Sequence, residues 1–285
     1  VYPELCFIKL QQLKKTIIMK TIFITGASSG LGKATAKLFH EKGWNVIATM
    51  RTPEKETELS QLKNVTLLPL DVTNYDQIQN TVKKALELSD IDIVFNNAGY
   101  GLIGPLESLS DDQITKQLNT NLLGVIRVTN AFIPYFRERK NGLFISTTSI
   151  GGLIAFPLGS VYHATKWGLE GWSESMAYEL NPFGVHIKTV SPGGIKTEFL
   201  HGSLDTGAKP EYEAMTNSMF ASVDTMFEMA STPEQIADVV YEAANDGKNQ
   251  LRYVAGEDAK ALYKQRLELG AETFRTEFGK QFLGA

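Results

Sequence analysis

The chain has 285 residues, 43% hydrophobic and 21% charged, with a formal net charge of −4. That balance supplies a large apolar core and lacks the basic excess of a nucleic-acid footprint. A single cysteine, Cys6, excludes an internal disulfide framework and fits a reducing, cytoplasmic setting, and no apolar run approaches the roughly 20 residues of a membrane span.

Residues 1–18 do not match the rest of the chain. Lys9, Lys14 and Lys15 interrupt their apolar residues, so no secretory core forms, and Met19 makes a natural start before the first strand. We read 1–18 as an extension outside the core, with a short basic amphipathic helix as the competing reading, and 19–285 as one domain. From Lys20 onward the apolar period alternates. Strand-like runs fall at 21–25, 45–50, 65–72, 92–97, 142–149, 185–191 and 251–256, and helix-period stretches at 30–42, 74–88, 111–139 and 160–180. Seven strands alternating with helices imply a Rossmann-type, doubly wound parallel α/β sheet covered on both faces.

Turn residues mark the boundaries. Gly43 suits a helix C-terminus, Pro53 a helix start, and Asn181-Pro182-Phe183-Gly184 a break before the sixth strand. The segment 198–232 keeps neither period. Gly202, Gly207 and Pro210 punctuate it while Met215, Met219, Phe220, Met226, Phe227 and Met229 make it apolar, which suits a substrate-covering lid, with a small capping subdomain as the other reading. The tail 257–285 reads as helix, completing a substrate site or an interface.

The stretch "TGASSGLG" (25–32) has two parses. Gly26-Ala27-Ser28-Ser29-Gly30 is the G-x-S-x-G of a nucleophile elbow, and the whole is a glycine-rich phosphate turn. The elbow needs a histidine base, and His40 and His186 fall inside a helix and a strand, while His163 and His201 have no base-like context. In the second parse Gly26 permits a sharp exit from the strand, Gly30 brings backbone to a pyrophosphate, and Gly32 lets the helix pack on the sheet. The histidines show no metal-ligand spacing, so no metal site is expected.

Six further motifs decide between the parses: "DV" (71–72), "NNAG" (96–99), "NLLG" (121–124), "STTSIGG" (146–152), "YHATK" (162–166) and "PGGIKT" (192–197). With these in order, the chain from Lys20 to about Gly256 resembles the short-chain dehydrogenase/reductase family. The resemblance implies a dinucleotide-binding catalytic domain that passes a hydride between a nicotinamide cofactor and a carbonyl or secondary alcohol. It makes Tyr162 the general acid and base and gives Lys166 the nicotinamide ribose. Ser149 would steady the substrate oxygen, and Asn121, with Asn119 as competitor, would hold a water against the lysine. The implied cofactor wall is Gly26, Ser28, Ser29, Gly30, Leu31, Gly32, Asp71, Val72, Asn97, Ala98, Gly99, Pro192, Gly193 and Thr197, with Tyr162 and Lys166. The family also implies a homodimer or homotetramer. A dehydratase or epimerase on the same fold, or a cofactor sensor without turnover, are the rival readings.

Two expectations come from the residues themselves. Tyr162 and Lys166 lie four apart on one helix face, and an ammonium about 5 Å from a phenol at an effective dielectric of about 20 contributes roughly 3 kcal/mol, drawing the phenol toward neutral pH. His163 points off that face and reads as helix surface or packing. At the end of the second strand, Met50 stands where an acid would bind the adenine ribose and Arg51 follows. An arginine there grips a 2′-phosphate, so NADP(H) is expected rather than NAD(H). The Met- and Phe-rich segment 198–232 is similar to relatives acting on steroids or retinoids and points to an apolar substrate.

Overall fold

The protein is described by a computed structural model covering residues 19–197 and 204–283. The expectation for residues 1–18 and the first part of 198–232 lies outside the described residues. Seven parallel strands form one sheet: β1 (Thr21–Thr25), β2 (Asn45–Met50), β3 (Val65–Pro69), β4 (Ile93–Asn96), β6 (Gly142–Thr147), β7 (Val185–Pro192) and β9 (Arg252–Ala255). Their order across the sheet is β3-β2-β1-β4-β6-β7-β9. The order reverses between β1 and β4, and that switch opens a crevice at the carboxyl ends of the strands.

Side-chain alternation explains why the sheet is covered twice. In β1, Ile22 and Ile24 enter one core while Phe23 enters the other. The first core receives α1 (Gly30–Glu41) and α7 (Pro233–Asn245). The second receives α2 (Tyr75–Leu88), α4 (Gly124–Arg139) and the end of α5 (Ser160–Leu180). In that core Phe23, Phe132, Phe136 and Phe144 form a chain of ring contacts. Caps set the helix starts: Ser110 with Gln113 boxes α3 (Asp111–Leu118), and Thr232 with Gln235 boxes α7, with Pro233 at its first position.

Three departures from the sequence pattern bear on function. The stretch read as one helix, 111–139, is α3 and α4 joined by a π turn at Asn119–Leu123. The segment read as irregular holds β8 (Leu204–Thr206), which pairs in parallel with the equally short β5 (Gly101–Ile103), and α6 (Glu213–Glu228). The tail divides at Gly270 into α8 (Glu257–Leu269) and α9 (Ala271–Leu283). These pieces build a third apolar core beside the sheet, from Ile103, Ile150, Ile154, Met219, Phe274, Phe278 and their neighbours.

Candidate active site

The glycine turn is a packed joint. Gly26 has φ +68°, a conformation that side chains rarely adopt, and a Cβ on it would stand 2.8 Å from Ala98 Cα. A Cβ on Gly32 would overlap Gly26 O and Asn97 Nδ2. Asn97 fastens this joint, its Nδ2 donating to Thr25 O at 3.2 Å and Gly26 O at 3.1 Å. Thr25 Oγ1 accepts in return from the Asn97 and Ala98 backbone amides. The side chain expected to face the cofactor thus serves the turn. Ser29 caps α1 without a side-chain hydrogen bond, so the first-turn amides of the helix stay available at the crevice.

The crevice is a cleft of about 780 Å³. Every expected cofactor residue borders it except Gly32, and every expected catalytic residue except Asn121. Ser28, Ser29 and Arg51 are exposed at its rim, whereas Met50 is buried beneath them. Asp71 spends its carboxylate on the following turn, accepting from Thr73 N at 2.9 Å and Thr73 Oγ1 at 2.7 Å. Val72 lies against Gly124, where a Cβ would stand 2.9 Å from Val72 Cγ2. A dinucleotide fits this wall: a cradle of small residues at a helix N-terminus, where a Cβ on Gly30 would come within 3.3 Å of Thr197 Cγ2.

On the facing wall, α5 places Tyr162, Lys166 and Glu170 on one buried stripe at successive turns. Ser149, just after β6, faces the Tyr162 hydroxyl, and its Oγ accepts from Gly151 N at 3.0 Å. Lys166 Nζ donates to Thr147 O at 2.9 Å and lies 5.8 Å from the Tyr162 ring centre. Burial pushes the Tyr162 phenol up, and the Ser149 hydroxyl facing it pulls it back only in part. The net direction is therefore upward, a correction to the expectation that the phenol is drawn toward neutral pH. Burial acts on the lysine as well, lowering it to about 8 against the opposing charge of Glu170.

Glu170 belongs to none of the sequence motifs, although it continues the four-residue spacing of Tyr162 and Lys166. It accepts from Arg252 Nε at 2.8 Å, Ser191 Oγ at 2.9 Å and Thr189 Oγ1 at 3.3 Å. Asn121 sits in the π turn, almost fully buried. Its Oδ1 accepts from Tyr100 N at 3.0 Å and its Nδ2 donates to Tyr100 O at 2.8 Å. Both side-chain groups are therefore committed to the loop that comes after Gly99. His163 is buried, so of the two readings for it, packing is correct and surface is not.

The end of the cleft beyond Tyr162 is apolar, with Ile154, Phe156, Met219, Leu262, Phe278 and Phe282 on its walls. The contributions of α8 and α9 had no motif to announce them. Among the described residues no group of three or more His, Cys, Asp or Glu side chains could hold a metal ion, and no helix is long and apolar enough to cross a membrane.

A glycine turn opening a doubly wound parallel sheet, faced by a buried Ser–Tyr–Lys wall, defines a Rossmann-type α/β protein. A family model described as short chain dehydrogenase matches residues 20–206, and the chain belongs to that family. It is 36% identical over 236 residues to an uncharacterised oxidoreductase of Schizosaccharomyces pombe, covering 81% of this chain and 99% of that one. The crystal structure of a short-chain dehydrogenase from Streptomyces avermitilis superposes with a TM-score of 0.82 at 29% identity, over 92% of this chain and 97% of that one. The structure of ElxO with NADP bound superposes with a TM-score of 0.70 at 28% identity, over 83% and 97%.

Proposed function

We propose that the chain is an NADP(H)-dependent oxidoreductase acting on the carbonyl or secondary alcohol of an apolar small molecule. The observation that carries this reading is the buried Ser149–Tyr162–Lys166 wall facing the glycine turn across one cleft. A bound nicotinamide supplies the hydride in reduction and takes it up in oxidation. The raised Tyr162 keeps its phenol protonated, ready to give a proton to the carbonyl oxygen in reduction. Ser149 donates a hydrogen bond to the same oxygen as its charge grows. Below about 8, Lys166 carries a charge that favours the phenolate left behind and offers donors to the ribose hydroxyls. The apolar end of the cleft keeps water from the reacting atoms and holds a hydrocarbon body.

Arg51 supports the choice of NADP(H). It is exposed at the rim beside Ser28 and Ser29, with no carboxylate at Met50 to repel a 2′-phosphate. The test is a thermal-shift titration of the chain and of Arg51→Ala with NADPH and NADH. Cofactor at a hundred times its Kd adds about 2.7 kcal/mol to folded-state stability. NADPH is expected to raise the melting midpoint more than NADH does. Losing a charged hydrogen bond of about 1.5–3 kcal/mol, Arg51→Ala weakens NADPH about ten- to a hundredfold and spares NADH. Preference for NADH would remove the cofactor assignment, and binding of neither would remove the enzyme reading.

A further inference from the structure

The loop between β6 and α5, residues 149–159, carries Ser149, Ile150, Ile154 and Phe156 onto the cleft wall. We propose that His163 is a positioning residue that clamps this loop, and so sets the Ser149 hydroxyl and the Phe156 ring against Tyr162. Its kinetic consequence rests on the oxidoreductase reading. The clamp itself rests on geometry.

Both imidazole nitrogens of His163 reach the loop. Nδ1 lies 2.6 Å from Gly151 O, and Phe156 N donates to Nε2 at 3.1 Å. A carbonyl only accepts and a backbone amide only donates, so the two partners together dictate the tautomer: proton on Nδ1, lone pair on Nε2. The ring also stands edge-on to Phe156, with centres 4.2 Å apart. The loop is cut to fit it. A Cβ on Gly151 would lie 3.2 Å from both the imidazole and Tyr162 Cε1, and one on Gly159 would lie 3.0 Å from Nε2.

Protonation would break the clamp, because Nε2–H would then point at the Phe156 N–H. Burial resists this by holding the imidazole below its ordinary range. The titratable group beside the ring is Tyr162 on the same helix, while the loop presents backbone and the Phe156 ring. The neutral clamp therefore holds at neutral pH and opens on acidification.

The test uses the full chain, NADPH, a carbonyl compound that it reduces, and two variants. His163→Phe keeps a ring and removes both hydrogen bonds, whereas His163→Gln restores one donor and one acceptor. In His163→Phe the KM for the carbonyl compound is expected to rise as the Phe156 wall loosens, and kcat to fall as the Ser149 donor drifts. Together they lower kcat/KM about tenfold or more, while the Kd for NADPH stays within about twofold. His163→Gln recovers most of kcat/KM. Amide exchange over residues 150–159, measured without cofactor and corrected for intrinsic rate, speeds up about tenfold in His163→Phe. In the unaltered chain it speeds up on acidification.

An unchanged kcat/KM in His163→Phe, an NADPH affinity that falls in step with it, or a Gln variant no better than Phe would each overturn the proposal. If the chain reduces no carbonyl compound, the oxidoreductase reading falls and the exchange measurement alone decides the clamp. Should His163→Phe fail to fold, the unaltered chain still decides: protection of 150–159 that stays flat through the whole acid range in which the fold persists overturns the clamp.

Discussion

Lys166 is pulled in two directions. Burial drives its ammonium down to about 8, and the carboxylate of Glu170, one turn further along α5, resists. Glu170 is held for that task by Arg252 and by the hydroxyls of Ser191 and Thr189. Glu170→Gln keeps the shape and removes the charge, so Lys166 loses its support and its pKa falls further. A lysine is charged below its pKa, so the active form is then lost at lower pH. The alkaline limb of kcat/KM should move down by about one pH unit, with NADPH binding following it. Arg252 is partly exposed and keeps water in the variant, so the fold should survive. An alkaline limb that stays in place would mean that Glu170 serves only Arg252 and β7.

Helix α4 approaches the cofactor wall through one residue without a side chain. A Cβ on Gly124 would press on Val72 Cγ2 at 2.9 Å, and Val72 forms part of the cleft lining behind Asp71. Overpacking of this kind costs about 1–3 kcal/mol. Gly124→Ala should lower the melting temperature and weaken NADPH together, since the wall shifts as the helix backs away. Loss of stability with unchanged NADPH affinity would place the strain in the helix alone. This contact also shows what was legible in the sequence. The motifs "DV" and "NLLG" could be matched separately, but their contact is a tertiary fact. The five inner strands were readable as apolar runs because both their faces are largely buried, and the edge strands β3 and β9 because they bury part of each run. Strands β5 and β8 were not, since three residues paired only with each other carry no period. The π turn at Asn119–Leu123 was hidden because the apolar stripe of α3 and α4 runs through it unbroken. The glycine turn, Ser149, Tyr162 and Lys166 were legible as motifs in order that resemble a known family, not from any one spacing alone. Burial around Tyr162 was not, and it reverses the direction in which that phenol moves.

The molecule as a whole is built in two halves that share one cleft. The sheet and its two cores form the glycine turn and the wall around it. The third core stands beside them, made from the 150–154 turn, α6, α8 and α9. Arg266 joins the halves, its guanidinium over the Trp167 and Phe274 rings, while Trp167 Nε1 donates to Ile154 O. In α9, Phe274, Phe278 and Phe282 recur every four residues, and the last two line the apolar end of the cleft. Residues 20–206 match the family model, so this closing wall comes from chain beyond it. Size selection should therefore be separable from cofactor binding. Phe278→Ala removes a buried ring, a change that costs about 3–5 kcal/mol in a closed core and less where a ligand can fill the space. The thermal shift produced by saturating NADPH should match that of the parent chain. For a compact apolar ketone KM should rise about tenfold, and for one larger by a phenyl ring it should fall, so the ratio of kcat/KM inverts. Equal losses for both ketones would show that Phe278 supports the fold without shaping the pocket, and a reduced NADPH shift would show that the halves are coupled.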